Sequence, residues 1–324
     1  MKTFFIPFQH GTQLSEVANE SRFSLTCITC ALLLTAGCRP CKPHIDDSKD
    51  AVRIVSTSPA LTEIVCAVGA AEMLVGRTDV CDYPPEIRSI PIIGKFAMPN
   101  IEKVLVLRPT YMLESFLVNP IQRRTLEHSG VQVEHIGCAR IADIPAATRR
   151  IGELTRHETQ AERIALSLEN SLRKLQQIRG KTKYPPRTLI LLDHLTPVTC
   201  GTNTFISEMV SLAGGYNVAT TLKKEYDNVS LEWIIKLKPE LILCFYEIDG
   251  DPARHFCKRT GWKDIPAVKN GRIRVPQNLD LICRPGPRIL EGIEALRRCI
   301  DGAGNNWVHA EHEHTGHREE KRLP

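Results

Sequence analysis

The sequence predicts an α/β fold of two lobes joined by a long helix, with a ligand cleft between the lobes. Three observations carry that expectation. The stretches NIEKVLVLRPTYML (100–113) and SLEWIIKLKPELIL (230–243) share one pattern of polar, acidic, apolar, basic and proline positions at a constant offset of 130. Ahead of each, Thr62-Glu63-Ile64-Val65 matches Ser207-Glu208-Met209-Val210 at an offset of 145. Between the two sets, residues 144–178 repeat apolar side chains at helical spacing.

Taken in chain order, the first feature is the apolar run FSLTCITCALLLTAG (23–37). It is too short to span a membrane and has the length and small-residue ending of an export signal. The alternative is an apolar helix packed on the domain. TAGC resembles the end of a bacterial lipoprotein signal, in which cleavage leaves Cys38 as a lipid-bearing first residue. Thr35 stands where such signals usually carry Leu, and the leader contains Glu16 and Glu20. We therefore divide the N-terminal region into a signal, 1–37, and a lipid-anchored polar tether, 38–50. Cys27/Cys30 and Cys38/Cys41 have spacings that also suit zinc. The first pair lies inside the apolar run, which makes that reading the weaker one.

The first lobe is expected over 51–143. RIVSTS (53–58) reads as a strand, and Leu61, Ile64, Val65 and Val68 then mark a helix ended near Gly69. In the repeated motif Asn100 is placed to cap a helix, Glu102 favours its first turn, and Val104, Leu105 and Leu107 supply a buried face. Pro109 stops it, and TYMLES follows as a strand. The connecting helix occupies 144–180. Gly152 and the polar TRHET segment leave it as one helix of roughly 50 Å or two shorter ones.

The second lobe, 181–303, repeats the order. TLILLDH (188–194) is a strand; Phe205, Ile206, Met209, Val210 and Leu212 mark a helix ended by Gly214 and Gly215. Ser230 then caps, Glu232 sits in the first turn, Ile234, Ile235 and Leu237 face inward, and Pro239 stops the helix before ELILCFY. Each lobe is thereby Rossmann-like. Residues 304–324 form a polar tail in which His309, His312, His314 and His317 are more readily explained as solvated than as metal ligands.

Composition narrows function. A charge of +5 over 324 residues, with Lys and Arg scattered among acids, lacks the basic stripe of a nucleic-acid binder. Cys66, Cys81, Cys138, Cys200, Cys244, Cys257, Cys283 and Cys299 are read as buried small hydrophobes or distant disulfide partners. No glycine-rich phosphate loop, nucleophile elbow or HExxH helix occurs. An enzyme would need Asp79, Asp82, Asp193 and His194 to converge, and no pattern requires that. Instead, loops mixing aromatic, proline and polar residues suit an apolar pocket. Phe96, Tyr226 and Tyr246 are candidate walls, and Asp280 and Arg284 candidate hydrogen-bonding groups.

Six segments in order resemble one family: SPALTEIVCAVGA, DVCDYPPE, PNIEKVLVLRP, GTNTFISEMVSLAGGYNV, VSLEWIIKLKPELIL and RPGPRILEGIEAL. From about Arg53 to Ile300 the chain resembles the helical-backbone (class III) periplasmic substrate-binding proteins of ABC importers, in particular those for cobalamin, ferric siderophores and haem. The resemblance implies a monomer without catalytic cofactor or turnover. It captures a bulky ligand and delivers it to a permease dimer with its ATPase subunits. It implies docking to that permease by Glu102 and Glu232, and a pocket including Val80, Phe96, Val198, Tyr226, Asp280 and Arg284. Cobalamin or a related corrinoid is the first ligand expectation, although Val80 and Val198 replace rings. A ferric siderophore would gain from Arg77, Lys95 and Arg284 facing the pocket; haem would gain an axial ligand from Tyr226 or Tyr246. A two-lobed enzyme acting on a tetrapyrrole or sugar, and a docking lipoprotein without ligand, are the remaining alternatives. The location implied is the bacterial envelope, lipid-anchored and facing the periplasm or cell exterior.

Overall fold

Each lobe is built on the short, apolar, β-branched runs read above as strands, buried on both faces as parallel strands are. A computed structural model describes residues 51–116, 119–180, 183–193 and 195–302. The expected signal, Cys38 and tether, His194 and the tail lie outside the described residues. Contacts divide the chain into Met1–Val52 and Arg53–Pro324, and the second unit contains both lobes.

The first lobe runs β1 (Ile54–Ser56), α1 (Pro59–Ala67), β2 (Leu74–Thr78), β3 (Ile92–Lys95), β4 (Met98–Pro99), α2 (Ile101–Val106), β5 (Tyr111–Glu114), α3 (Pro120–His128) and β6 (Gln132–His135). Its six-stranded sheet has the order β4-β3-β2-β1-β5-β6 and is parallel except for the β3–β4 pair. Next come α4 (Asp143–Thr155) and α5 (Glu158–Arg179). The second lobe continues with β7 (Arg187–Leu191), β8 (Val198–Cys200), α6 (Phe205–Leu212), β9 (Tyr216–Asn217), β10 (Tyr226–Asn228), α7 (Leu231–Leu237) and β11 (Leu241–Cys244). It closes with α8 (Pro252–Cys257), α9 (Pro266–Lys269), β12 (Ile273–Arg274), α10 (Leu279–Cys283) and α11 (Ile289–Asp301). Its main sheet is parallel in the order β12-β11-β7-β9, with β8 and β10 forming a separate antiparallel pair.

The duplication is therefore topological. β2-β1-β5-β6 and β9-β7-β11-β12 are the same arrangement, with the strand order reversing beside the first strand of each lobe. In α/β sheets ligands bind outside the carboxyl ends of strands at such a reversal. Side chains alternate as strand geometry requires. In β7 and β11, Ile190, Leu241 and Leu243 enter one core with α6 and α11, while Leu189, Leu191, Ile242 and Cys244 enter another with Phe256 and Trp262.

The connector consists of two helices. Arg156 adopts a left-handed backbone (φ 59°), the His157 N–H donates to Gly152 O at 2.8 Å, and the chain folds back. A Cβ at Gly152 would lie 2.3 Å from the Ala161 Cβ, so glycine permits the close approach of α4 and α5. Arg149 pairs with Glu162 at 2.6 Å and Glu169 at 2.7 Å across that contact. The single 50 Å rod is thus replaced by a helical hairpin, whose 22-residue α5 spans about 33 Å. α4 packs on α1 of the first lobe, while Ile144 of α4 and Leu168 and Leu172 of α5 enter the core of the second.

One expected core position is corrected. Val104 and Ile234 are fully buried, whereas Ile235 is 38% exposed, because seven-residue α7 presents only a narrow inward stripe. Among the described residues the eight cysteines between 66 and 299 form no disulfide with one another. Ile234→Ala should therefore destabilise the protein by about 2–5 kcal/mol and Ile235→Ala by about 1 kcal/mol or less, measured by chemical denaturation.

Candidate functional site

The two repeated helices present the same device. In α2 the Asn100 Oδ1 accepts the Lys103 N–H at 3.0 Å; in α7 the Ser230 Oγ accepts the Trp233 N–H at 3.2 Å. Glu102 and Glu232 occupy the first turns, exposed, where the helix dipole favours negative charge. Its own backbone N–H and the Ser230 hydroxyl hold the Glu232 carboxyl below the usual carboxylate range.

The repeat extends to residues that the sequence reading passed over. Arg53, at the foot of β1, donates to the carbonyls of Leu107 at 2.8 Å and Arg108 at 3.2 Å; Arg187, at the foot of β7, donates to Leu237 O at 2.6 Å. Each guanidinium satisfies carbonyls left open where a motif helix ends. The chain then leaves through Arg108 (φ 45°) and Lys238 (φ 47°), matched left-handed residues ahead of Pro109 and Pro239. RIVSTS and RTLILLD both begin with Arg, which is the signal available in the sequence.

Between the lobes, the RPGPR segment of the second reaches α1 of the first. Arg288 grips the Glu63 carboxylate with two nitrogens, at 2.8 and 2.7 Å, and its guanidinium lies 3.5 Å from the centre of the Tyr83 ring. Arg284 contacts Glu63 at 3.4 Å, Asp82 at 2.9 Å and Asp280 at 2.8 Å. Both Glu63 and Arg284 are nearly inaccessible, with side-chain exposures of 3% and 5%. Burial opposes the charge on Arg284, but Asp280, Asp82 and Glu63 outweigh it and raise its pKa above the ordinary guanidinium value. Arg284 is thus the centre of a clasp between lobes, and its buried Nε has no partner among the described residues. The sequence reading named Arg284 and Asp280 as cleft groups and missed Arg288.

The aromatic candidates occupy different surroundings. Phe96 is half-buried in edge-to-face contact with Phe116, their centroids 5.4 Å apart, and Phe116 is 44% exposed. Phe116 adds a ring that sequence reasoning did not identify. Tyr226 pairs with Cys200 across β8–β10 and packs on the core containing Cys200 and Ile282; burial pushes its phenol pKa well up. Tyr246 packs on the core of the opposite sheet face, where burial likewise raises its phenol pKa, so the two tyrosines do not converge. Val80 and Val198 are both half-buried.

Other candidates are committed elsewhere. Arg77 is 5% exposed and donates to the carbonyls of Ile87, Thr78, Cys81 and Arg88, which fixes the 78–88 turn and withdraws it from any pocket. Lys95 is exposed. Asp79 accepts the Phe96 N–H, and Asp193 accepts those of Leu195 and Thr196, so both shape loops. Among the described residues no His, Cys, Asp and Glu cluster suits a metal ion.

Comparison with known proteins agrees with this architecture. Residues 54–277 match the periplasmic binding protein family, and the chain belongs to it. The uncharacterized ABC transporter substrate-binding lipoprotein YvrC of Bacillus subtilis is 30% identical over 260 residues, covering 78% of this chain and 81% of that protein. A vitamin B12-binding protein of Pectobacterium carotovorum is 28% identical over 242 residues, covering 74% and 84%. Among solved structures, the periplasmic vitamin B12-binding protein BtuF of Vibrio cholerae has 24% identity and a TM-score of 0.67, covering 78% of this chain and 98% of that one. The apo haem-binding protein RhuT of Roseiflexus has the same identity and TM-score, covering 78% and 99%. The chain is a transport binding protein, not an enzyme, and works with a permease and ATPase.

Removing one partner of the clasp leaves a buried charge. Glu63→Gln should therefore cost about 3–5 kcal/mol in chemical denaturation, and Glu294→Gln, on exposed α11 surface, about 1 kcal/mol or less.

Proposed function

We propose that this periplasmic binding protein captures cobalamin or a related corrinoid between its lobes and presents it to a permease dimer. The observation that carries the docking half is the pair of equivalent helices, each capped alike, each braced by an arginine and each exposing one glutamate. Burial gives no reason for the same carboxylate in both first turns, whereas two separated charges fix orientation on a two-subunit partner. The vitamin B12-binding relatives support the corrinoid. Phe96, Tyr226, Val80 and Val198, with Asp280 beside the clasp, are the proposed pocket groups; Tyr246, packed on the core of the opposite sheet face, is left out of the pocket. Arg284, nearly inaccessible within the clasp, would contribute by holding Asp280 and Asp82 in place beside the cleft. Haem is the second reading, for which Tyr226, half-buried as a residue, is the candidate axial ligand. A ferric siderophore loses support because Arg77 is locked into its turn. Export and attachment through a lipid on Cys38, and a monomeric state, complete the proposal.

Residues 39–324, titrated with cyanocobalamin, haem and ferric siderophores by absorbance and intrinsic fluorescence, should bind the corrinoid tightly and selectively. Binding of none of the three would sink the ligand class. Glu102→Ala with Glu232→Ala should reduce permease association at least about tenfold while ligand affinity stays within about twofold; equal loss of both would remove the docking role. The depressed pKa of Glu232 makes its charge present above the ordinary carboxylate range and lost only as pH falls through the lowered value. Association of the Glu102→Ala variant, measured against pH, should accordingly hold down to the low end of the carboxylate range before it falls.

A further inference from the structure

Away from the interlobe clasp, α4, α5 and α6 enclose a groove of about 440 Å³, continued by a smaller one of about 200 Å³ that shares Arg179, Glu208 and Ser211. Its floor includes Ile141, Leu172 and Leu212. Its two carboxylates are already engaged: Glu169 with Arg149 at 2.7 Å, and Glu208 with Arg140 and the Ile141 N–H. Arg173 and Arg179 are exposed on its rim and make no ion pair among the described residues. The groove therefore offers an apolar floor beside two uncommitted cations. An occupant should pair a large apolar side chain with closely following acids.

The chain carries such a segment, and it begins beside the groove. Ile300, near the end of α11, is buried and its Cδ1 lies 3.2 Å from where a Cβ at Gly215 would stand. The next residue, Tyr216, lines the smaller groove. From Gly302 the sequence continues AGNNWVHAEHEH, with Trp307 five positions on and Glu311 and Glu313 nine and eleven positions on. At about 3.3 Å per extended residue, Trp307 reaches roughly 17 Å and the glutamates roughly 30–36 Å. Arg173 and Arg179 are separated by about 9 Å along α5, and alternate acids on an extended chain by about 7 Å.

We propose that the C-terminal segment after Gly302 docks into this groove, Trp307 and Val308 covering the apolar floor and Glu311 and Glu313 pairing with Arg179 and Arg173. The segment then covers the outer face of the α4–α5 hairpin, the element that joins the lobes. This assignment is independent of which ligand the cleft carries.

The test uses the full chain with a photo-crosslinking benzoyl-phenylalanine at position 307, mapped by peptide mass spectrometry. Crosslinks should concentrate in 169–179 and 207–217. Crosslinks to the interlobe region, crosslinks between two molecules, or no defined crosslink would each overturn the proposal. Arg173→Glu with Arg179→Glu should lower the groove crosslink yield about fivefold or more, and adding Glu311→Lys with Glu313→Lys should restore it. The lysine pair alone, introduced outside the described fold, should give the same loss without depending on how α5 tolerates substitution. Unchanged yield in both variants would rule out the charge pairing.

Discussion

The Glu63 carboxylate is held by Arg288 and touched by Arg284, and on this ion cluster the placement of one lobe against the other depends. Glu63 lies in the helix after the first strand of lobe one; both arginines follow the last strand of lobe two. More than two hundred residues separate them, and their pairing is buried. A buried ion pair contributes less net stability than its geometry suggests, because both charges lose water. What it supplies is a geometric requirement: either lobe displaced leaves a charge without a partner. Tyr83 under the Arg288 guanidinium and Gly286 backed onto Ala60 extend the same contact with ring and backbone.

Opposite this clasp the hairpin of α4 and α5 makes the second tie, by apolar packing rather than charge. Ile144, Leu168 and Leu172 belong to the core of the second lobe, and α4 also packs on α1, the helix that carries Glu63. α1 is therefore held from two directions. A monolithic connecting rod is unnecessary, because the hairpin enters the second core and contacts the first lobe within one turn of chain reversal.

Much of this was legible in the residues. The strand at RIVSTS, the helix ended by Gly69, the caps at Asn100 and Ser230 and the proline stops all rest on interactions within a few positions, and they stand where the pattern puts them. The break near TRHET was visible as a polar interruption, but the direction of the chain afterwards was not. It depends on Gly152 admitting Ala161. The site was less legible. Arg77 looks like a binding cation in sequence and proves to be a hub for four carbonyls, while Phe116 follows a strand without any local mark of its contact with Phe96. Arg288 carries no signal that distinguishes it from the surface arginines of α11.

The sequence by itself determined the duplication: two α/β units, each with a capped helix, an acid in its first turn and a proline stop, because these are consequences of side-chain chemistry at short range. Tertiary structure alone decided which charges meet. Glu63, Arg284 and Arg288 pair only when the lobes are assembled, and Arg53 and Arg187 find the helix-end carbonyls only through the sheets beside them. Coulombic and hydrogen-bond partners are chosen by distance in space, and distance between residues far apart in the chain is set by packing, which no local pattern encodes.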